Sequence, residues 1–214
     1  MDLGTRLGGG VLATTLGAAT GGQRKTLHAW GRTYLGAVRI DAPIPDLAIP
    51  LVEDRGVHRC TVRFSRALST PAGWWDIGGV AVRIPEAGCS GGPADLWFTT
   101  TGAGRVSRHV PRPTRRPSTG PLTTMLPTRA AAGCSVVLMV APMTEGEPPR
   151  EYELSISVGG SPWSPIGLLH IQHEVPDEPT RYDPVVDELD GTSVPPWVVA
   201  LREPGHLWAR RHTD

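Results

Sequence analysis

The chain has 214 residues and a mass of 22.9 kDa, with 39% apolar and 20% charged residues and 21 basic side chains against 21 acidic. That make-up excludes a wholly disordered or membrane-spanning chain, and the balanced charge provides no bulk attraction to nucleic acid. Glycine and proline, at 26 and 22 residues, argue against a helical bundle and for short strands joined by turns.

Two absences narrow the chemistry. The sequence contains no asparagine, so no step can rest on an Asn amide, and Lys25 is its sole lysine. Arginine in place of lysine favours planar, permanently charged contacts with carboxylates or phosphates, although a coding bias produces the same pattern. Cys60, Cys89 and Cys134 form no CxxC pair and no zinc spacing, which reads as reduced thiols in a cytoplasmic protein. The stretch 8–22 lacks the basic and compact apolar parts of a secretion signal, and no run of 18 apolar residues predicts a membrane span.

In chain order, residues 1–22 read as a poorly ordered or loosely helical lead-in, and 23–214 as a single domain. Strand-like runs bounded by Gly, Pro or Asp fall at 33–40, 57–65, 77–84, 95–101, 105–110, 135–141, 152–158 and 165–173. In 152–158 the alternation of Tyr152, Leu154, Ile156 and Val158 with polar neighbours is that of a half-buried strand. Eight such strands predict a mainly β protein, a closed antiparallel barrel or a sandwich, with few peripheral helices. One helix is expected to start within 195–201, where Ser193 or Thr192 is placed to cap it.

Two loops are charged: 105–116 carries five arginines and His109, and 174–190 carries seven acids and one arginine. Charge runs are usually solvated faces, and the alternative is that these two segments face each other, within one chain or across a dimer. Gly88-Cys89-Ser90-Gly91-Gly92 matches the nucleophile-elbow pattern on paper, but the following Gly91-Gly92-Pro93 does not begin a helix, so a loop is expected. His170 and His173 lie on a strand, where positions three apart point to opposite faces; a shared metal is not expected.

The segment Lys25 to Ser65 carries more. His28-Ala29-x-Gly31-x-x-x-x-Gly36 resembles the distal-histidine segment of haem catalases, and Val62-Arg63-Phe64-Ser65 is similar to their V-R-F-S strand. Asp76 to Arg83 resembles the segment that follows it, Asp95-Leu96 the pair just before the catalytic asparagine, and Arg202-x-x-x-His206 the R-x-x-x-Y of the proximal ligand. These segments are in the family's order and cover 25–101 and the last dozen residues; the stretch 105–200 is similar only in being rich in strands. The chain is most similar to small catalase-like proteins of actinobacteria, without the family's arm, wrapping segment and helical domain.

The resemblance implies a catalase-like antiparallel barrel that binds haem b and pairs with a second copy. It implies His28 as distal acid–base, Ser65 as the residue orienting it, and Lys25 and Arg63 as cations for the haem propionates. Aligned from Asp95-Leu96, the asparagine position is Thr100, whose hydroxyl is shorter and less directional than an amide, so peroxide disproportionation is expected to be weak or absent. His206 stands for the tyrosine as axial iron ligand, with Arg202 beside it and His212 as a rival. The implied activity is haem chemistry on a small organic substrate, with peroxide or dioxygen as co-substrate: an oxidation, or a rearrangement or dehydration. The alternatives are a haem carrier or sensor without turnover, and a haem-free scaffold.

Overall fold

The computed structural model of the chain describes residues 31–71, 73–177 and 182–199. Their core is a closed barrel. The strands are β1 (Gly31–Ile40), β2 (Gly56–Arg66), β3 (Gly78–Ile84), β4 (Ala94–Thr100), β5 (Leu122–Thr123), β6 (Thr128–Ala130), β7 (Ser135–Pro142), β8 (Glu151–Val158), β9 (Ser164–Val175) and β10 (Thr192–Ser193). The ring runs β7-β5-β4-β3-β2-β1-β9-β8 and closes through β7–β8, so eight antiparallel strands form the barrel. β6 and β10 extend the sheet outward from β7.

Period-two alternation fills the interior. Tyr34, Val38 and Ile40 of β1 point inward with Val62 and Phe64 of β2, Val80, Val82 and Ile84 of β3 and Phe98 of β4. Leu138 and Val140 of β7, Leu154 and Ile156 of β8, and Leu169 and Ile171 of β9 complete it. A four-residue helix, α1 (Pro50–Glu53), follows β1 with Pro at its start and buries Leu51 and Val52. They pack against Val38, Val82, Phe98 and Leu138 and close one end of the barrel. The opposite end, where β1 and β3 begin and β2 ends, stays open.

Two expectations from sequence change. Residues 105–110 are not a strand: they form loop and a 3-10 turn at Ser107–His109, because Arg108 is buried against β8. It is 4% exposed, donates to Ser157 Oγ at 2.5 Å and stacks on Trp163 at 4.2 Å, so the arginine docks this loop on the outside of β8. The barrel's eighth wall is instead β5, two residues long. The second change concerns His170 and His173. A bulge in β9 pairs Ile171 with Gly36 but Glu174 with Tyr34, so strict alternation is broken there and both histidines are exposed. Among the described residues no group of three or more His, Cys, Asp or Glu is placed to hold a metal ion. The 88–92 segment is a loop with a 3-10 turn, as expected. Residues 196–199 are helical, within the 195–201 span where a helix is expected. No helix among the described residues is long and apolar enough to cross a membrane.

Candidate functional site

The open end of the barrel leads into a cleft of about 440 Å³, within the ordinary range of small-molecule sites. Strand ends supply Gly31, Tyr34, Phe64 and Val80 on one side, and the 118–148 region supplies Ser118, Leu122 and Pro148 on the other. Its floor is aromatic. Tyr34 meets Phe64 edge to face at 5.7 Å, and Phe64 lies 6.0 Å from Tyr152. Tyr152 is fully buried and donates its hydroxyl to the Ser118 carbonyl at 2.9 Å, which ties β8 to the 118 turn. Burial pushes its phenol pKa far up, so this donor stays neutral.

Three residues of the cleft wall, Tyr34, Ser118 and Arg66, carry a buried polar atom (Oη, Oγ and Nε) without a well-formed hydrogen bond among the described residues, and the nearest acceptor to the Tyr34 hydroxyl is the Glu174 carboxylate. Leaving a buried hydroxyl unpaired costs roughly 1–3 kcal/mol, so such atoms mark places where a partner is missing. Burial also raises the Tyr34 phenol pKa. The neighbouring Glu174 carboxylate is taken by Arg32, whose Nε lies 2.9 Å from Oε1. On the rim, Arg66 is held 3.4 Å from Asp76 and donates to Thr70 Oγ1 and the Trp74 carbonyl, both at 3.1 Å.

Asp76 organises that rim. Its side chain is fully buried and accepts from the amides of Leu68 (2.9 Å), Thr70 (3.0 Å) and Ile77 (2.7 Å) and from Thr70 Oγ1 (3.0 Å). Burial alone pushes this carboxyl up, but the donated bonds outweigh it and hold it below the usual range.

Around the lip, the outer face of the sheet carries a second row. Ser65 pairs in register with Gly31 on one side and Gly79 on the other, and Gly79 pairs with Thr99. Cross-strand partners share a face, and Phe64, Val80 and Phe98 occupy the inner one, so Gly31, Ser65, Gly79 and Thr99 form an outer strip of small residues. Arg63 lies beside it. A Cβ added at Gly31 would sit 2.5 Å from Arg63 Cζ, so the glycine makes room for the guanidinium to lie flat on the sheet. Asp177 receives Arg63 Nε at 2.9 Å and Nη2 at 3.0 Å, and also accepts from Thr33 Oγ1. The Arg63 hydrogen bonds hold the Asp177 carboxyl below its ordinary pKa.

The residues singled out from sequence now have places. Ser65 lines the cleft at the lip, and Arg63 flanks it. Thr100 is near but faces the other way. It is 3% exposed, belongs to the inner set with Phe98, and its Oγ1 accepts the Gly78 amide at 3.1 Å, bracing the lip from within. The β4 hydroxyl on the face of Ser65 is that of Thr99, which the alternation from Leu96 and Phe98 was sufficient to reveal. Lys25, His28, Arg202, His206 and the rival His212 lie outside the described residues, as does the lead-in 1–22.

Sequence reasoning did not find Tyr34, Ser118 or Asp177. Tyr34 and Ser118 read as an ordinary strand aromatic and an ordinary turn serine, and their meeting depends on barrel closure. Asp177 belongs to the acidic run, whose partners are now evident. Asp177 pairs with Arg63, while Asp95 and Asp187 share Arg83 at 2.7 and 2.8 Å, with the Tyr182 ring 5.1 Å from its guanidinium. The acidic segment therefore straps the outer face of β2 to β4.

No protein-family model matches the sequence, and no curated protein matches it. Solved structures do. A fungal catalase superposes with a TM-score of 0.63 at 12% identity, covering 94% of this chain and 61% of the catalase. Catalase A from Saccharomyces cerevisiae gives 0.62 at 11%, covering 94% of this chain and 63% of its own. The chain thus spans little more than three-fifths of the length of these catalases. At such identity the likeness establishes the architecture: this is a catalase-like antiparallel barrel.

Proposed function

We propose that the chain is a haem-dependent enzyme of oxidoreductase or related type, acting on a small organic molecule at the open end of the barrel. The observation that carries this reading is the strip Gly31–Ser65–Gly79–Thr99 with Arg63 beside it, set against the cleft in a catalase-like barrel. The described residues fit a flat anionic group. The strip has no bulky side chain, and Gly31 lies beneath Arg63 with no space for a Cβ. Asp177 already gives a carboxylate to Arg63, which is the chemistry a propionate would offer.

Haem b, when bound, would supply the redox or Lewis-acid chemistry at iron. Arg63, and Lys25 before it, would hold the propionates. Ser65 and Thr99 offer hydroxyls on the same face, Ser65 to fix a neighbouring imidazole and Thr99 to orient a small polar ligand. In this reading His28 would be the proton-handling group and His206 would hold the iron, with His212 the alternative. Because Thr100 turns inward and Thr99 is a hydroxyl, peroxide disproportionation is expected to be slow. Peroxide or dioxygen is the expected co-substrate, and the working unit a homodimer.

The test is an absorption spectrum of protein expressed with haem precursor, ferric and then reduced under carbon monoxide. A Soret band with a histidine-type reduced spectrum supports the reading, and a colourless protein that takes up no haem overturns it. One observation favours a second reading, a haem-free scaffold. Asp177 satisfies Arg63 within the chain, so this cation needs no outside anion.

A further inference from the structure

We infer that the cleft at the barrel mouth is a binding site for small neutral phenolic compounds, one or two rings in size, with Tyr34 and Ser118 as the residues that select the hydroxyl. This deepens the proposed function by naming its substrate class, and it rests on reading the mouth as the substrate side. Three observations converge on it. The walls are Tyr34, Phe64, Val80, Leu122 and Pro148, and the Tyr34–Phe64–Tyr152 cluster presents ring faces and edges suited to another aromatic ring. Tyr34 and Ser118, 3% and 8% exposed, line the cleft; among the described residues the Ser118 hydroxyl has no partner, and that of Tyr34 has beside it only the Glu174 carboxylate, which Arg32 already holds. A phenol answers both needs, since its oxygen donates one hydrogen bond and accepts others.

Charge at the rim argues for a neutral ligand. Arg32 is committed to Glu174 and Arg66 to Asp76, while Glu147 adds a carboxylate to the lining. Among the described residues of the lining, an organic acid would meet two arginines that already face Glu174 and Asp76, and one repelling anion, Glu147. Size follows from volume. An apolar cavity of about 150 Å³ holds benzene, so about 440 Å³ accommodates a fused bicyclic ring with room at the open side.

The experiment is equilibrium binding of 2-naphthol, naphthalene and 2-naphthoate to the full chain without haem, followed by probe fluorescence. The wild-type protein should bind 2-naphthol saturably, about five- to tenfold more tightly than naphthalene and well above 2-naphthoate. Tyr34→Phe and Ser118→Ala should each weaken 2-naphthol by about fivefold and leave naphthalene unchanged. No saturable binding of 2-naphthol, or equal binding of all three probes, overturns the inference. The comparison between probes needs no variant, so it stands even where a substitution fails to fold. It is also separable from the haem reading: phenol binding by a protein that takes up no haem leaves this site intact, and a haem-loaded protein blind to 2-naphthol removes it.

Discussion

Asp76 carries more of the site than any other single described residue, although it touches no ligand. Three amides and one hydroxyl point at a carboxylate that has no exposure, and Arg66 sits against it. Removing such an anion strands those donors inside the lip. Asp76→Ala should therefore cost about 3 kcal/mol of unfolding free energy at neutral pH. The sign of the pH dependence follows from its depressed pKa. The contribution is fully present above the unfolded-state value of about 3.9 and is lost as pH falls through the lower folded value. Denaturation of both proteins from pH 7 down to pH 3 should show the gap between them narrowing below about pH 4; a gap independent of pH would contradict the assignment. From sequence, Asp76 was legible only as part of a resemblance. Its amide and hydroxyl donors lie within eight residues, but nothing in a single sequence distinguishes a loop aspartate that gathers amides from one that faces water.

At the scale of elements, the barrel depends on close backbone approach between β1 and β9. A Cβ at Gly167 would lie 1.8 Å from the Arg39 carbonyl oxygen, so any side chain there pushes the two strands apart. Gly167→Ala should lose about 1–3 kcal/mol or more, read by chemical denaturation; a change under about 0.5 kcal/mol would mean the strands part without penalty. Seven of the eight strands expected from periodicity are strands, because each combines alternation with turn residues at both ends. The exception is 105–110, where Val106 and Val110 fall on one face of a strand period but Arg108 between them anchors a loop through Ser157 and Trp163. Ser157 lies 49 residues away and Trp163 farther still, so this anchoring leaves no local signal. β5 escaped for the opposite reason: two residues, Leu122–Thr123, are too short for a period, yet their pairing with both β4 and β7 closes the ring. Thr100 and Thr99 show the cost of counting from a motif instead of from the pleat. The register placed Thr99 on the outer face as soon as Phe98 was taken as core.

For the whole molecule, charge balance conceals an internal division of labour. Among the described residues, the acidic segment after β9 forms no ion pair with the basic loop 105–116 within the chain. It crosses the outer face of β2 to β4, where Asp177 holds Arg63 and Asp187 joins Asp95 on Arg83. The basic loop instead docks one arginine on β8 and leaves Arg112, Arg115 and Arg116 exposed. Barrel closure then brings together what the sequence keeps far apart: the start of β1, the end of β2, the 118 turn and residue 148 around one cleft. The fold was legible because strands announce themselves locally. The cleft was not, because its walls are defined by which strand ends meet.

The central claim is that the outer strip at this mouth receives haem, and a haem titration comparing the wild-type chain with Gly79→Leu tests it most directly. Gly79 lies in the strip between Ser65 and Thr99, outside the apolar core, so a leucine there should block the face while leaving the barrel intact by circular dichroism. The account predicts stoichiometric binding with a Soret band for the wild type and affinity at least about tenfold weaker for the variant. A wild-type chain that never saturates with haem, or a Gly79→Leu chain that binds it equally well, would contradict the account.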